Sequence, residues 1–216
     1  MVDIASINRI LKKEVQSYKV PVIELVEIQT EDPFKILVAT LLSARTKDEI
    51  TIVVVKKLFK VVNKPTDLNK LTVKQIEKLI YPIGFYHTKA KHLKQLPIVL
   101  KELFNNKIPD EIDDLIKLPG VGRKTANLVR TIAFKKHAMC VDIHVHRISN
   151  RFGYIKTKTP FQSEMTLREK LPKRYWLTYN SILVAFGQNL CKPVSPWCSK
   201  CPVRKYCKRV GVSVSR

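Results

Sequence analysis

Apolar positions along this chain recur at intervals of three and four residues, the spacing of one helix face. The pattern predicts helices near Ile7–Tyr18, Pro33–Ser43, Lys47–Val62, Val73–Leu79, Thr88–Phe104, Ile112–Leu118, Lys124–Phe134, Ile143–Phe152, Phe161–Leu171 and Lys173–Asn189. One stretch is ambiguous, because Ile50-Thr-Ile-Val-Val-Val55 is a β-favouring run. Apolar residues at 50, 54, 58 and 61–62 keep the helical period, and Asp48 and Glu49 suit the positive end of a helix. The segment is therefore assigned to a helix. Only six glycines occur, and twelve prolines stand singly at expected helix starts and ends. The fold class expected is all-α, with short connections and no repeats. The last eighteen residues lose the period and need something other than an apolar core to order them.

Length and charge narrow the function. A chain of 216 residues with 45% hydrophobic positions can bury a core in one domain or a tight pair. Its net charge of +22 is lopsided. Residues 1–114 hold 19 basic and 15 acidic side chains, whereas residues 115–216 hold 21 and 3. Such a field points to a polyanion, with nucleic acid ahead of a membrane surface. The longest apolar runs, such as Ile36–Leu42, fall well below the ~18 residues of a membrane span. The N-terminus shows no secretory h-region, so an intracellular, reducing location (cytoplasm or nucleoid) is expected.

In that compartment cysteines need a role other than disulfides. Four of the five form a C-x6-C-x2-C-x5-C run at Cys191, Cys198, Cys201 and Cys207. A structural zinc and an iron–sulfur cluster both suit four thiolates so close in sequence. A single C-x2-C knuckle argues modestly for the cluster, in which each thiolate meets a separate iron. Basic residues surround the run, from Lys192 and Lys200 to Arg209. Cys140, in an apolar stretch, is expected to be a buried inert thiol.

Leu118-Pro-Gly-Val-Gly-Arg-Lys-Thr-Ala126 carries the most chemistry. A Gly-x-Gly turn opening a helix exposes backbone N–H groups, an anion site that fixes a strand without reading its sequence. Gly120 and Gly122 let a phosphate come close. Lys124, in the first helical turn beside Arg123, is expected to have its ammonium form disfavoured, as an amine nucleophile requires. A plain phosphate contact is the alternative. Asp142 is the only acidic residue between Asp114 and Glu164. It is expected to stay ionised and to cap the helix that follows. His144 and His146 lie on different helix faces, so packing or phosphate contact suits them better than metal binding.

Together, the hairpin, Val141-Asp-Ile-His144 and the four cysteines resemble the endonuclease III family of the helix-hairpin-helix-Gly/Pro-Asp superfamily. Leu41-Leu-Ser-Ala44 and Ile83-Gly-Phe-Tyr-His-Thr-Lys-Ala90 add to the resemblance, which runs from about Pro33 to Cys207. It implies two helical domains flanking a DNA-binding cleft. A six-helix barrel would cover 26–136, with the hairpin at about 112–134. Residues 1–25 plus 137–216 would carry a [4Fe-4S] cluster in the loop 191–207. It implies a monomeric DNA glycosylase and abasic-site lyase acting on damaged bases or abasic sites in double-stranded DNA, with a preference for oxidised pyrimidines. Lys124 matches the family's nucleophile and Asp142 the assisting acid. Arg45, Phe85, Gly120, Val121, Gly122, Arg123 and His144 would contact DNA, and the four cysteines would ligate the cluster.

Three positions depart from the family pattern. Arg45 stands where glutamine is common, Phe85 where a leucine wedge is common, and Ile143 where threonine is frequent. They bear on lesion and opposite-base preference. The rival readings are a mismatch- or uracil-type glycosylase that removes a base without cutting, and a non-catalytic damage-binding iron–sulfur protein. Lys124 speaks against the first, and Lys124 with Asp142 against the second.

Overall fold

The structure is a computed structural model that describes residues 2–18 and 31–216. The described residues are helical or irregular, with no strand among them. They divide into two compact units. The described parts of 22–136 form one; the described parts of 1–21 together with 137–216 form the other. The family-based boundary near residue 25 lies outside the described residues. No helix among them is long and apolar enough to cross a membrane.

In the unit containing the hairpin, α2 (Pro33–Ser43) is the central post. Phe34 and Ile36 to Leu42 are all buried, so this helix is apolar on every side. Asp32 accepts the Phe34 N–H, and Pro33 occupies the first helical position, where no N–H is needed. Packed around it are α3 (Asp48–Leu58), α5 (Tyr86–Phe104) and α7 (Arg123–Phe134). Tertiary burial of Thr51, Val54, Val55 and Leu58 overrides the strand propensity of α3. Between α3 and α4 (Val73–Ile80) lie residues 59–72, longer than the connections expected. A 3-10 helix, Pro65–Lys70, orders them by burying Leu68. A reciprocal Thr72–Gln75 capping box starts α4. Pro97 departs from the expected placement of prolines: it is buried inside α5.

In the other unit, α8 (Ile143–Arg151), α9 (Pro160–Lys170) and α10 (Trp176–Asn189) pack together. The N-terminal helix α1 (Ile4–Glu14), capped by Asp3, lies against α10. Its residues Ile7 and Leu11 join a core that includes Phe152, Tyr179 and Phe186. The cysteine tail is irregular apart from a 3-10 turn at Arg204–Tyr206.

Burial of α1 makes the early residues structural for a unit whose other part begins at residue 137. Leu11 is fully buried, so Leu11→Ala should cost about 2–5 kcal/mol. Urea denaturation measures this; a loss below about 1 kcal/mol would mean that α1 is not integral to that core.

Candidate active site and nucleic-acid interface

The hairpin is made by α6 (Ile112–Leu115), a turn, and α7. Helix α6 ends earlier than the sequence period suggested, because residues 116–118 turn over through Lys117 N–H to Asp114 O and Leu118 N–H to Leu115 O. Leu118 and Val121 are buried and pin the turn from within. Between them Gly120 adopts φ +76°, the left-handed conformation glycine reaches without penalty. A Cβ there would lie 2.5 Å from His92 Nδ1. Gly122 differs: a Cβ would meet nothing within 4 Å, so its bareness serves no packing need of the protein. Val121 spends its backbone N–H on Leu118 O, 3.1 Å away. The buried Val121 side chain anchors the turn.

Arg123 and Lys124 open α7, and the Lys124 side chain is exposed. The following turn is buried at Ala126 and Asn127, and Asn127 Nδ2 donates to Arg123 O at 3.0 Å. Farther along, Arg130 donates to Asp110 O (2.8 Å) and pairs with Glu111, while Lys136 bonds Asp110 (2.8 Å). These contacts tie the C-terminal part of α7 to the segment that precedes the hairpin. Lys124 is thus an exposed residue on a helix anchored at its far end.

A cleft of about 240 Å³ in the same unit is lined by Arg45, Phe85, Lys89, His92 and Gly120, among others. Phe85 is 62% exposed although fully apolar. The Arg45 guanidinium carbon lies 5.2 Å from the centre of its ring, a cation–π contact. The sequence reading had Arg45 and Phe85 as separate DNA contacts; the structure makes them a pair. It missed Lys89 and His92. Lys89 Nζ donates to Leu42 O (2.9 Å) and Ala44 O (2.6 Å), and burial pushes its amine down to about 8. His92 is the floor under Gly120.

In the other unit Asp142 is buried at the start of α8. Its Oδ1 accepts the N–H groups of His144 and Val145, both at 2.9 Å, the capping role expected. Beside it, Ile143 is 67% exposed. His144 is half-buried: its Nδ1 lies 3.1 Å from Arg147 Nη2, and a Cβ on Gly187 would come within 2.4 Å of it. His144 thus packs within its own unit, one of the two roles the sequence leaves open for it. His146 is bonded to Ser163 Oγ at 2.6 Å.

A family model described as the HhH-GPD superfamily of base excision DNA repair proteins matches residues 38–173. Endonuclease III of Thermotoga maritima is 44% identical over 177 residues, covering 82% of this chain and 83% of that protein. The chain belongs to the endonuclease III family. It is therefore a base-excision DNA glycosylase, and double-stranded DNA with damaged bases is its partner. Among solved structures, a trapped endonuclease III–DNA covalent intermediate in an estranged-adenine complex is similar over 97% of both chains (TM-score 0.82, 33% identity). A thermostable thymine-DNA glycosylase is similar over 94% of this chain and 98% of that one (TM-score 0.76, 26% identity).

The four cysteines of this family member line one cavity with Phe152, Phe186, Trp197 and Arg151. All four are free thiols. Arg151 is buried, and its Nη1 donates toward Cys191 Sγ (3.4 Å); the Arg209 N–H donates toward Cys207 Sγ (3.4 Å). Such donors suit thiolates carrying negative charge. Burial pushes the Cys201 thiol up to about 11 and raises that of Cys207 too. Among the described residues no three His, Cys, Asp or Glu side chains converge as they would on one ion. Four thiols lining one cavity are a donor set whose chemistry suits a thiolate-bound metal centre.

The two hairpin glycines should separate stability from binding. Gly120→Ala forces a side chain into a left-handed turn, costing about 1–2 kcal/mol or more, and collides with His92. Gly122→Ala should stay within about 1 kcal/mol of wild type yet weaken affinity for duplex DNA at least threefold. Urea denaturation and fluorescence anisotropy measure the two effects; a Gly122→Ala protein with unchanged affinity would mean that no phosphate approaches this glycine.

Proposed function

We propose that this protein is a bifunctional glycosylase and abasic-site lyase that removes oxidised pyrimidines from duplex DNA, with Lys124 as nucleophile. The observation that carries the proposal is the place of Lys124, an exposed residue in the first turn of α7, directly behind a hairpin whose open glycine leaves room for phosphate. Backbone N–H groups at the start of α7, with Arg123, hold the strand by its phosphates. The damaged nucleotide leaves the stack, at a cost of a few kcal/mol that is least for weakly stacked lesions. The neutral Lys124 Nζ attacks C1′, and the glycosidic bond breaks with its electron pair passing to the departing base. Loss of a proton from the amine, followed by opening of the sugar ring as the C1′–O4′ bond breaks and O4′ takes up a proton, leaves a protonated Schiff base at C1′. Removal of a C2′ proton then expels the 3′ phosphate by β-elimination, and hydrolysis of the Schiff base frees the lysine. Asp142 accepts the amine proton or stabilises cationic charge on the sugar; its capping bonds with α8 fix the carboxylate for that task. The Arg45–Phe85 pair is the part that enters the duplex.

Cys191, Cys198, Cys201 and Cys207 hold a [4Fe-4S] cluster in this reading. When bound, the cluster supplies a covalent staple for a tail that buries little apolar surface of its own. Around it, Arg151 fixes the loop by donating to Lys192 O at 2.6 Å and to Pro193 O.

On a duplex with one 5,6-dihydrouracil, the wild type should release the base and nick the strand. Lys124→Ala should lose both by at least a hundredfold, and Asp142→Asn should lower base release more than tenfold. Base release without nicking by the wild type would instead indicate a monofunctional glycosylase. Anaerobically purified protein should contain about four irons and four sulfides and absorb broadly in the visible, and Cys198→Ser should lose that absorption. A colourless protein with one zinc would contradict the cluster assignment.

A further inference from the structure

The cleft beside the hairpin contains two backbone conformations that cost energy. Arg45 has φ +57° and Phe85 φ +60°, and neither is glycine. Left-handed residues with side chains persist only where their surroundings over-determine them. Here the surroundings are identifiable. The loop after α2 and the loop before α5 are pressed together: a Cβ on Gly84 would lie 2.6 Å from Arg45 O. The Gly84 N–H donates to Thr46 Oγ1 at 3.0 Å, and the Thr46 N–H returns to Ser43 O at 3.1 Å. On the other side of Arg45, Lys89 Nζ holds Leu42 O and Ala44 O. The residues flanking Arg45 are thus both tied down.

A lysine at a helix C-terminus ordinarily satisfies carbonyls from the solvent side. Lys89 is instead half-buried, and burial makes its charge costly to keep. The two carbonyls to which it donates lie at the turn into Arg45. They do not lie deeper in α2. We infer that Lys89 is a positioning residue: its amine clasps the Leu42 and Ala44 carbonyls so that Arg45 and Phe85 are held as one stacked unit ready to enter the duplex. Lys89 itself forms no bond to the reacting sugar, since its amine is committed to carbonyls. The inference rests on the proposed glycosylase/lyase reading only for its kinetic arm. It predicts that base extrusion depends on Lys89 far more than abasic-site chemistry does, because an abasic site has no base to displace.

The test compares wild type, Lys89→Met and Lys89→Arg. A duplex with 2-aminopurine opposite a tetrahydrofuran abasic analogue reports unstacking by its fluorescence at saturating protein, without any chemistry. Lys89→Met should give less than half of the wild-type fluorescence rise, with duplex affinity within tenfold and the same secondary structure by circular dichroism. Lys89→Arg, which keeps a cation there, should restore most of the rise. On 5,6-dihydrouracil, Lys89→Met should release base at least tenfold more slowly, whereas nicking of a preformed abasic site should fall less than threefold. A full fluorescence rise in Lys89→Met overturns the inference, as does an equal loss in both variants, which would make the site intolerant of change and not a cation clasp. Should the wild type neither release base nor nick, the catalytic reading fails, while the fluorescence comparison still decides the role of Lys89.

Discussion

The face proposed to be catalytic depends on one turn whose shape favours glycine. Gly120 reverses the chain at φ +76° directly above His92, and Leu118 and Val121 anchor the turn by burying on either side of it. Without that reversal α7 could neither begin at Arg123 nor present Lys124 outward. The turn leaves Gly122 facing open space. One turn therefore sets an open glycine two residues before Lys124, the arrangement on which the proposed chemistry rests. The ion pairs of Asp110 and Glu111 with Arg130 and Lys136 are largely solvent-exposed, and they add orientation more than stability.

The cysteine tail answers a different constraint. Residues after Asn189 form almost no regular structure, and apolar burial there is slight apart from Pro196 and Val203. Order comes from the four cysteines around one cavity and from Arg151, which reaches out of α8 to the loop backbone. The surrounding lysines and arginines form an exposed basic surface. For a polyanion ligand, holding such charges in place raises affinity by removing an ordering cost.

Much of this was legible in the chain. The bounds of α2 were readable because Asp32-Pro33 marks its start and an unbroken apolar run fills it. The hairpin, the capping role of Asp142 and the grouping of four cysteines followed from local spacing. Contacts between distant segments were not legible. Lys89 lies 47 residues from the Leu42 carbonyl it holds, and nothing in its neighbours marks it as buried. The pairing of Arg45 with Phe85 depends on Gly84 meeting Arg45 O, again between separate loops. Helix α6 stopped short because its next residues satisfy their N–H groups by tighter turns, a choice that apolar period does not record. Pro97 sits inside α5, where burial with Leu93, Leu96 and Leu100 outweighs the missing backbone donor.

The central claim is that one particular amine forms the covalent link to DNA. Borohydride reduction on an abasic-site duplex, followed by proteolysis and mass spectrometry of the cross-linked peptide, tests it most directly. The account predicts a sugar remnant on Lys124 alone, although 40 lysines and arginines give the chain many competing cations. A remnant on Lys89 or another lysine, or no cross-linked peptide from a protein that binds the duplex, would contradict it.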